Sequence, residues 1–262
     1  MLSFSKLRQH NYYFRRNEDD GVANIDDWKF SPYTCFKSRI YIELSTILAF
    51  FFQYTKISPN QITFLYILSG VIGGILFSLD NQISIIIGCI IFYFRSALDW
   101  TDGLFARIKE QTSTIGRYLD PWGTYVGHIF FISGLTIYCY DLTNKILYLF
   151  ILIGILILKT LDFKNYLYQH SFYEILDNQN IENKGLTKNK IDEKKDSFIY
   201  NFIKSFMDDR SRTTDSVILI ILLNLIYDLS YLIELIVILY FLKTILTFFG
   251  YFYLFTKKQK ND

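Results

Sequence analysis

Hydrophobic residues occur in long blocks separated by short polar connections along this 262-residue chain. A membrane-spanning helix needs about 20 mainly apolar residues to cross a hydrocarbon core roughly 30 Å thick. Six blocks approach or reach that length and predict six membrane helices, near residues 60–78, 83–106, 118–140, 146–168, 214–229 and 231–255. The fifth is short and interrupted by Asn224. Only three residues, 228–230, separate it from the sixth, which predicts a tight hairpin or, alternatively, one broken span.

One further apolar stretch, residues 38–55, lies just before Ser58 and Pro59 and has an amphipathic pattern. Its charged residues Arg39 and Glu43 share one helical face. A second face carries the apolar residues Ile40, Leu44, Ile47 and Phe51. This pattern predicts a helix lying in the membrane interface, with a seventh span as the alternative. Pro59 suits the first turn of the next helix, and Ser58 suits its cap.

Positive charge alternates between successive connections. The segment before the first predicted span is rich in Lys and Arg, whereas residues 79–82 after it have none. The next connection is basic again, and Lys145 is the only cation in the one that follows. The polar interval 171–212 is lysine-rich, and the last hairpin carries no cation. The positive-inside rule therefore predicts that both termini are cytoplasmic, in a bacterial inner membrane or a eukaryotic endomembrane.

Composition and charge narrow the protein class. Hydrophobic residues make up 51% of the chain, which excludes intrinsic disorder. The formal net charge of +2 gives no reason to expect a nucleic-acid partner. Cys35, Cys89 and Cys139 are isolated and fit small buried hydrophobes rather than a metal or redox motif. The chain begins with polar residues, which do not form a signal peptide.

The predicted fold is an all-α integral membrane protein, a six-transmembrane-helix bundle preceded by an interfacial amphipathic helix. Residues 1–57 form a cytoplasmic N-terminal segment that contains the interfacial helix 38–55. Residues 58–256 form a single transmembrane domain with a polar cytoplasmic loop at 171–212, and residues 257–262 are a basic tail.

Acidic residues interrupt the apolar pattern at the end of the second predicted span. Asp99 and Asp102 are three residues apart and project from one helical face. Gly103 and Ala106 leave that face with almost no side-chain bulk, so a flat ligand or another helix can approach the backbone. Asp120 is expected to open the next helix and to return to the same place. Because acidic groups at membrane depth are costly, they usually serve a functional site.

Three converging carboxylates cannot all be ionised unless a cation joins them. Hard oxygen ligands suit Mg²⁺ or Mn²⁺. With Arg107 beside them, such carboxylates suit a diphosphate, because metals neutralise its oxygens and arginine binds one of them through two N–H groups.

At these residues the chain resembles the CDP-alcohol phosphotransferase (CDP-alcohol phosphatidyltransferase) family, whose signature is D-x2-D-G-x2-A-R-x8-G-x3-D-x3-D. The signature positions present in register are Asp99, Asp102, Gly103, Ala106, Arg107, Gly116 and Asp120. The segment 59–63 also looks like the family's usual opening of the first span. An interfacial helix followed by six spans is the family's architecture as well.

The resemblance implies a phosphotransferase of phospholipid biosynthesis. A CDP-alcohol donor, usually CDP-diacylglycerol, would transfer its phospho-alcohol group to a small polar or lipid acceptor alcohol, and CMP would leave. Asp99, Asp102 and Asp120 would bind two divalent metals, Mg²⁺ or Mn²⁺. The cytidine-diphosphate pocket would be formed by Gly103, Ala106, Arg107 and Gly116. A homodimer among membrane lipids is also implied, while the acceptor and the exact donor stay open.

The final signature position departs from the family. The family's last Asp, its general base, falls at position 124, where this chain has Thr124. Threonine cannot act as a base near neutral pH, whereas His128, one helical turn further on, has an imidazole suited to the task. Two alternatives stay open: His128 only forms a hydrogen bond within the bundle, or the metal-polarised acceptor needs no dedicated base.

The acceptor pocket has weaker signals. Arg210 and Arg212 precede the fifth predicted span and could bind an acceptor phosphate, or they could only anchor that span by the positive-inside rule. Lys159, Asp162 and Lys164 near the end of the fourth span have the same two interpretations.

Two other function classes compete with the enzyme. A catalytically inactive relative would keep the metal and cytidine-nucleotide pocket for binding or assembly, and Thr124 would record its lost catalysis. A transporter or channel has little support, because no inverted repeat or charged pair at the membrane midplane is visible.

Overall fold

The computed structural model describes residues 2–17, 26, 28, 32–161 and 211–258. These residues form helices and no strand, so the all-α prediction is confirmed for this part of the chain. The helices are α1 Phe4–Asn17, α2 Pro32–Phe52, α3 Pro59–Phe77, α4 Gln82–Ile108, α5 Thr114–Thr143, α6 Leu147–Thr160, α7 Ser211–Asn224 and α8 Ser230–Lys258. Most of the predicted polar loop, residues 171–210, lies outside the described residues, as does the end of the tail.

Each of the six predicted spans corresponds to a helix, although the helices differ in whether they are long and apolar enough to cross a membrane. Among the described residues, three are long and apolar enough to span: α3, α4 and residues 230–250 of α8. Helix α5 has 30 residues, whereas α6 and α7 have 14 each. The structure is that of an all-α membrane protein, and the six-span topology stays a prediction.

Large apolar side chains on the outside of the bundle fit this membrane assignment. Helix α3 buries Gly70, Gly73 and Gly74 while it exposes Phe64 and Ile75. A soluble helix would show the reverse pattern, because water drives large apolar groups inward. In lipid, small residues at helix contacts allow close packing, and large residues face the acyl chains.

Helices α3 and α5 cross at very short range. A Cβ atom added to Gly74 would lie 2.5 Å from the carbonyl oxygen of Phe130, and one added to Gly134 would lie 2.5 Å from the carbonyl oxygen of Gly74. A Cβ at Gly123 would meet the Ile67 side chain at 2.7 Å. We call this contact the glycine seam, defined by Gly74, Gly123 and Gly134. It fixes the position of α5, and therefore of Asp120, relative to α3.

The ends of the central helices follow from local chemistry. Ser58 caps α3 by a reciprocal capping box with Gln61, and Pro59 occupies the first turn, as predicted. Asn224 ends α7, and its side-chain oxygen accepts the N–H of Leu229 at 2.8 Å in the connection to α8. The fifth and sixth predicted segments are therefore two separate helices rather than one broken span.

Helix α5 begins earlier than the sequence suggested. Ser113 caps it by accepting the Gly116 N–H at 2.9 Å, so the helix starts at Thr114. The prediction that Asp120 opens this helix is wrong, because Asp120 lies in its second turn. Pro121 lies inside this helix, and its missing N–H leaves the Arg117 carbonyl without the usual helical donor.

The N-terminal region contains a helix that sequence analysis missed. Helix α1 packs on α2 through Asn11, whose buried amide donates to the carbonyl oxygen of Ile42 at 3.1 Å and to the hydroxyl of Ser45 at 2.9 Å. The Arg8 guanidinium binds both carboxylate oxygens of Glu43, with contacts of 2.6–2.9 Å. The charged face of α2 is therefore partly covered by α1.

The predicted interfacial helix is longer at its start than expected, spanning Pro32–Phe52 rather than 38–55. Pro32 suits the first helical turn, which explains the earlier beginning. Its apolar face points outward, with Ile47 40% and Phe51 62% exposed. That exposure favours the interfacial location, which stays a prediction.

A buried ion pair joins α2 to α7. The Lys37 ammonium contacts the Asp215 carboxylate, and the two side chains are only 7% and 8% exposed. The Tyr33 hydroxyl donates to the same carboxylate at 2.8 Å. The Lys37 Nζ also lies 5.2 Å from the ring centres of Tyr41 and Tyr93. The surrounding donors and rings offset the cost of burying these charges.

Candidate active site

Acidic side chains meet where α4 ends and where α3 and α5 begin, a region that we call the carboxylate end. Asp99 and Asp102 lie on α4, and Asp120 lies on α5. Asp102 is buried, Asp99 is half-buried and Asp120 is exposed. Asp99 is within electrostatic reach of both other carboxylates. The structure therefore brings together the three predicted aspartates, in a site that opens outward at Asp120.

Asp102 is held by the start of α3. The Thr63 hydroxyl donates to Asp102 Oδ2 at 2.6 Å, and both residues are buried. The hydroxyl therefore fixes the orientation of the carboxylate. Thr63 lies in the segment that resembled the family's first span, although sequence analysis gave it no role.

Asp99 has an incomplete set of partners. Its Oδ1 atom is buried and has no hydrogen-bond partner among the described residues. A buried carboxylate oxygen without a donor is unfavourable unless a cation or a ligand supplies one. This orphaned atom is the clearest structural sign that the site is built to bind something.

The guanidinium of Arg95 balances part of the negative charge of the aspartates. Arg95 lies one helical turn before Asp99 and is within electrostatic reach of it. Its guanidinium is 4.2 Å from the centre of the Tyr66 ring and donates to the Gly123 carbonyl oxygen at 3.2 Å. It fills the notch at Gly127, where a Cβ would lie 2.0 Å from Arg95 Nη1.

Sequence analysis did not assign Arg95 to the site. An arginine within an apolar run was the available signal, because such residues are rare and mark internal sites. Tyr66 had no comparable signal, since tyrosine is common throughout this chain.

Thr124 forms a hydrogen-bonded pair with Tyr66. The two hydroxyl oxygens are 3.0 Å apart, and the Thr124 hydroxyl also lies 3.3 Å from the Asp120 carbonyl oxygen, to which it donates. Thr124 is exposed and sits one turn beyond Asp120 on the open side of the site. The residue that replaces the family's final aspartate thus contributes neutral hydrogen bonds in place of a carboxylate.

Gly103 and Arg107 form the open wall of the site. A Cβ added to Gly103 would find its nearest neighbours in the Arg107 guanidinium, at 3.6 Å, which is an ordinary contact. The same guanidinium lies 4.8 Å from the centre of the Phe14 ring of α1. Among the described residues, the protein's own packing therefore does not require glycine at position 103.

The remaining signature residues have structural surroundings. A Cβ at Gly116 would lie 2.9 Å from Asn60 Oδ1 and 3.0 Å from Ser113 Oγ, so this glycine lets α5 begin against α3. Ala106 is half-buried in the last turn of α4, and its carbonyl accepts the Gln111 N–H at 2.9 Å. Their predicted contacts with a nucleotide stay predictions.

His128 lies one turn beyond Thr124 on α5 and is half-buried. Its ring centre is 6.1 Å from that of Tyr240 on α8, with an angle of 64° between the ring planes. The imidazole is therefore adjacent to the bundle interior on one side. Its assignment as the base stays a prediction.

The candidate acceptor residues are only partly described. Lys159 ends α6 with its Nζ 5.8 Å from the centre of the Tyr125 ring, one residue from Thr124. The Tyr125 hydroxyl also donates to the Lys159 carbonyl oxygen. Asp162, Lys164 and Arg210 lie outside the described residues, as does the side chain of Arg212.

The predicted metal site is not formed by the side chains as they stand. Across residues 2–17, 32–161 and 211–258, no group of three His, Cys, Asp or Glu side chains is close enough together to hold a metal ion. The donor types nevertheless suit a hard divalent cation, and the orphaned Asp99 oxygen is a free ligand atom. The residues therefore fit the expected metal by chemistry, and metal binding stays a prediction.

Comparisons with known proteins cover the region that contains these residues. Residues 56–171 match the family model described as CDP-alcohol phosphatidyltransferase. A stretch of 63 residues is 41% identical to the CDP-diacylglycerol--glycerol-3-phosphate 3-phosphatidyltransferase of Pseudomonas fluorescens. That stretch covers 24% of this chain and 32% of the relative, so the chain matches about a third of the relative's length. With the signature in register around the carboxylate end, residues 56–171 are therefore similar to a CDP-alcohol phosphatidyltransferase domain.

Proposed function

We propose that this protein is a membrane phosphotransferase of phospholipid biosynthesis that uses a CDP-linked alcohol as donor. An acceptor hydroxyl oxygen forms a bond to the phosphorus that carries the lipid alcohol. The bond from that phosphorus to the bridging oxygen of the diphosphate breaks, and the oxygen leaves with CMP. The acceptor proton passes to a base in the site, so atoms and charge balance.

The observation that carries this proposal is the joint position of Asp99, Asp102 and Asp120 beside the open face at Gly103 and Arg107. Acidic ligands for a cation and an arginine for phosphate oxygens are the two elements that a diphosphate requires. The family match and the named relative support the same chemistry.

Metal binding is proposed for the three aspartates, with Mg²⁺ or Mn²⁺ as the expected ions. Divalent cations in such a site neutralise diphosphate oxygens and make CMP a better leaving group. Thr63 holds Asp102 in place for this role, and Arg95 limits the repulsion around Asp99 before any ligand is bound. Positioning and charge neutralisation then supply most of the rate acceleration.

We assign proton transfer to His128, because Thr124 cannot accept a proton near neutral pH. The Thr124 hydroxyl instead forms hydrogen bonds with the Tyr66 hydroxyl and with the Asp120 carbonyl oxygen. These bonds orient the part of α5 that faces the site. A neutral imidazole would take the acceptor proton.

A catalytically inactive relative is the second candidate function. It is favoured by the neutral hydrogen bonds at Thr124, which leave the site without its expected carboxylate. Such a protein would bind the metal and the cytidine nucleotide without turnover. The retained Asp99, Asp102, Asp120 and Arg107 favour the enzyme over this alternative.

The acceptor side of the reaction rests on fewer residues. We propose that Arg210 and Arg212 bind an acceptor phosphate, because two arginines near the start of α7 suit a doubly charged group. Glycerol 3-phosphate is the acceptor in the relative's name, and it is therefore the first compound to test.

The proposed function is tested by measuring CMP release from CDP-diacylglycerol by purified full-length protein in detergent with Mg²⁺ or Mn²⁺. The acceptor panel contains glycerol 3-phosphate, inositol 1-phosphate, inositol, serine and choline. We expect release that requires both the metal and one acceptor. A sample with Asp99→Asn is the matched control, because the neutral amide removes a charged ligand and changes the shape little.

The possible results separate the two candidate functions. Acceptor-dependent release would establish the enzyme and name its product. Binding of CMP and Mn²⁺ without release from any donor and acceptor pair would favour the inactive relative. Failure to bind both nucleotide and metal would contradict both functions.

Orientation in the membrane is a further part of the proposal, with the carboxylate end cytoplasmic. Glu110 and Asp80 are exposed residues in the connections at opposite ends of α4. Cys35, Cys89 and Cys139 are buried, so single cysteines introduced as Glu110→Cys and Asp80→Cys can be labelled selectively. In intact cells an impermeant maleimide should label the cysteine introduced at position 80 and spare the one at position 110, and the opposite pattern would overturn the orientation.

Assembly as a homodimer is the remaining proposal. It is supported by family resemblance, and a mass measurement on the protein in nanodiscs would test it directly. A mass of one chain per nanodisc at all protein concentrations would contradict it.

A further inference from the structure

Arg95 lies between three helices, one helical turn before Asp99 on α4. A Cβ atom added to Gly70 of α3 would lie 3.2 Å from the Arg95 Cζ, and one added to Gly127 of α5 would lie 2.0 Å from its Nη1. The guanidinium also donates to the Gly123 carbonyl oxygen at 3.2 Å. Two glycines therefore provide the space that the guanidinium fills, and this packing fixes a positive charge within an apolar run.

This fixed charge acts on the aspartates of the site. A guanidinium keeps its proton at physiological pH, and Arg95 is within electrostatic reach of Asp99. Arg15, which is within electrostatic reach of Asp102, acts in the same direction. The three ionised aspartates carry three negative charges, of which Arg95 cancels one and a single divalent cation cancels the other two. A second divalent cation would leave an excess of positive charge, which is unfavourable where the dielectric constant is low.

A second divalent cation would also need oxygen ligands of its own, and the side chain at position 124 is a poor one. Thr124 donates its single hydroxyl proton to the Asp120 carbonyl oxygen at 3.3 Å, so it is the acceptor in its 3.0 Å contact with the Tyr66 hydroxyl. This hydroxyl is neutral and has two partners, whereas hard divalent cations prefer carboxylates. Asp102 has one oxygen bonded to the Thr63 hydroxyl at 2.6 Å. The ligand atoms therefore suit one ion better than two.

Tyr66 connects the fixed cation with the position of the missing carboxylate. The centre of its ring is 4.2 Å from the Arg95 guanidinium, and its hydroxyl donates to Thr124. The cation and the neutral threonine therefore belong to one continuous group of contacts. Both make the site less negative than it would be with an aspartate at position 124 and no arginine at position 95.

We propose that the carboxylate end binds one divalent cation, rather than the two that the family resemblance implies, and that the guanidinium of Arg95 supplies positive charge in place of the second ion. This inference rests on the proposed function, because it assumes that the three aspartates bind a metal for a diphosphate. It makes Arg95 a positioning residue, which acts on the metal through Asp99.

The experiment is electron paramagnetic resonance of full-length protein in detergent, titrated with Mn²⁺ alone and in the presence of CDP. Two metal ions in one site lie about 3.5–4 Å apart, so the spins of two Mn²⁺ ions would couple. A single ion gives the spectrum of an isolated centre. We expect one bound Mn²⁺ per chain and an isolated spectrum in both samples, and a spin-coupled pair in either sample would overturn the inference.

Variants at positions 95 and 124 test the role of Arg95. Thr124→Asp restores a carboxylate, so a second Mn²⁺ should bind. When Arg95→Gln is added to Thr124→Asp, we expect that second ion to bind about tenfold more tightly, because a repelling charge has been removed. When Arg95→Lys is added instead, the affinity should stay as in Thr124→Asp, because the charge is kept although the planar group is lost. Equal affinities with and without Arg95→Gln, or no second ion in either, would overturn the role of Arg95.

Arg8→Gln is the matched control. Arg8 has a side chain that is 51% exposed and pairs with Glu43 at 2.6 Å. Added to Thr124→Asp, it should leave the affinity for the second ion unchanged. Thermal unfolding identifies any variant that does not fold, and the wild-type spectrum tests the number of ions without any variant. Two ions in the wild type would overturn the inference while the proposed function stands, whereas a wild type that binds no Mn²⁺, with or without CDP, would refute the metal-dependent function itself.

Discussion

Glycines at two places in the bundle have opposite surroundings. In the seam between α3 and α5, an added Cβ at Gly74 or Gly134 would lie 2.5 Å from a backbone oxygen. At Gly103 the nearest atoms would be those of the Arg107 guanidinium, at 3.6 Å. The seam glycines are required by the protein's own packing, whereas none of the residues that the structure describes crowds Gly103.

This contrast divides the signature residues into two groups. Gly116 belongs with the seam, because Asn60 and Ser113 occupy the space beside it. Gly103 is grouped with the aspartates, because the lack of a side chain at this position is useful only if a ligand approaches the backbone. A single sequence motif therefore combines folding requirements with binding requirements, and stability and activity should respond separately to its residues.

The largest difference between the effect on activity and the effect on stability is expected at Asp99. Asp99→Asn should abolish metal-dependent CMP release, because the amide loses the negative charge that holds a cation. Its thermal stability should not fall, since the substitution also removes repulsion from Asp102 and Asp120. The measurement pairs an activity assay with thermal unfolding, and Asp80→Asn, an exposed acidic residue outside the site, is the control. Normal turnover by Asp99→Asn would remove this residue from the site.

Substitution of His128 distinguishes a role in proton transfer from a role in packing the bundle. If the imidazole is the base, His128→Ala should lower turnover by roughly 10²–10⁴, without changing nucleotide affinity. Tyr240→Phe is a suitable control, because it preserves the ring that His128 contacts. Turnover near the wild-type rate together with reduced stability would assign His128 to packing alone.

Gly74→Ala should show the opposite behaviour to Asp99→Asn. Its Cβ would collide with the Phe130 carbonyl, which we expect to lower the free energy of unfolding by about 1–3 kcal/mol. The variant should lose thermal stability first and lose activity only as it unfolds. A free energy of unfolding equal to that of the wild type would mean that α3 and α5 move apart easily. That result would contradict the close packing at the glycine seam.

Gly103→Ala is the companion substitution and should have a smaller effect. Alanine favours the helix over glycine by roughly 0.5–1 kcal/mol, so stability should be kept or slightly raised. Nucleotide affinity should fall by about tenfold, because a methyl group enters the space beside Arg107. Unchanged affinity for CDP would show that the ligand does not approach the backbone at this position.

The smallest effect concerns the attachment of α1. The hydrogen bond from Arg8, assisted by one from Tyr12, lowers the pKa of Glu43 against the opposing effect of burial. A lowered carboxyl pKa stabilises the folded form at neutral pH, and this contribution is lost as the pH falls through the lowered pKa. The protection factors of the α1 amides in hydrogen exchange should therefore fall in acid, and Glu43→Gln should show reduced protection at neutral pH as well.

The sequence predicted the central helices because these depend on local rules. Ser58 and Pro59 mark a helix start through capping and a fixed φ angle. Asp99 and Asp102 share a face through the helical repeat alone. Asp120 was assigned to the wrong position in its helix, because Ser113 was not recognised as the cap.

Other features depend on contacts between distant residues and were missed for that reason. Helix α1 is mostly polar, and its short buried stripe, Leu7 and Asn11, becomes meaningful only against α2. The stacking of Arg15 on Trp100 joins residues that are far apart in the chain. Arg95 did carry a signal, as an arginine within an apolar run, and its guanidinium lies in a notch that only the backbone of Gly127 provides.

The ion pair between Lys37 and Asp215 has a consequence for biogenesis, since the two residues are 178 positions apart. At a synthesis rate of 5–20 residues per second, Lys37 waits roughly 10–35 s for its partner. During that interval α2 can pack on α1 and α4, but its buried ammonium lacks the carboxylate that neutralises it. Helix α2 therefore reaches its final packing late in synthesis. A ribosome that stalls before α7 would release a chain in which the Lys37 ammonium at the bundle surface has no carboxylate to neutralise it. Such a chain would be a natural substrate for membrane quality control.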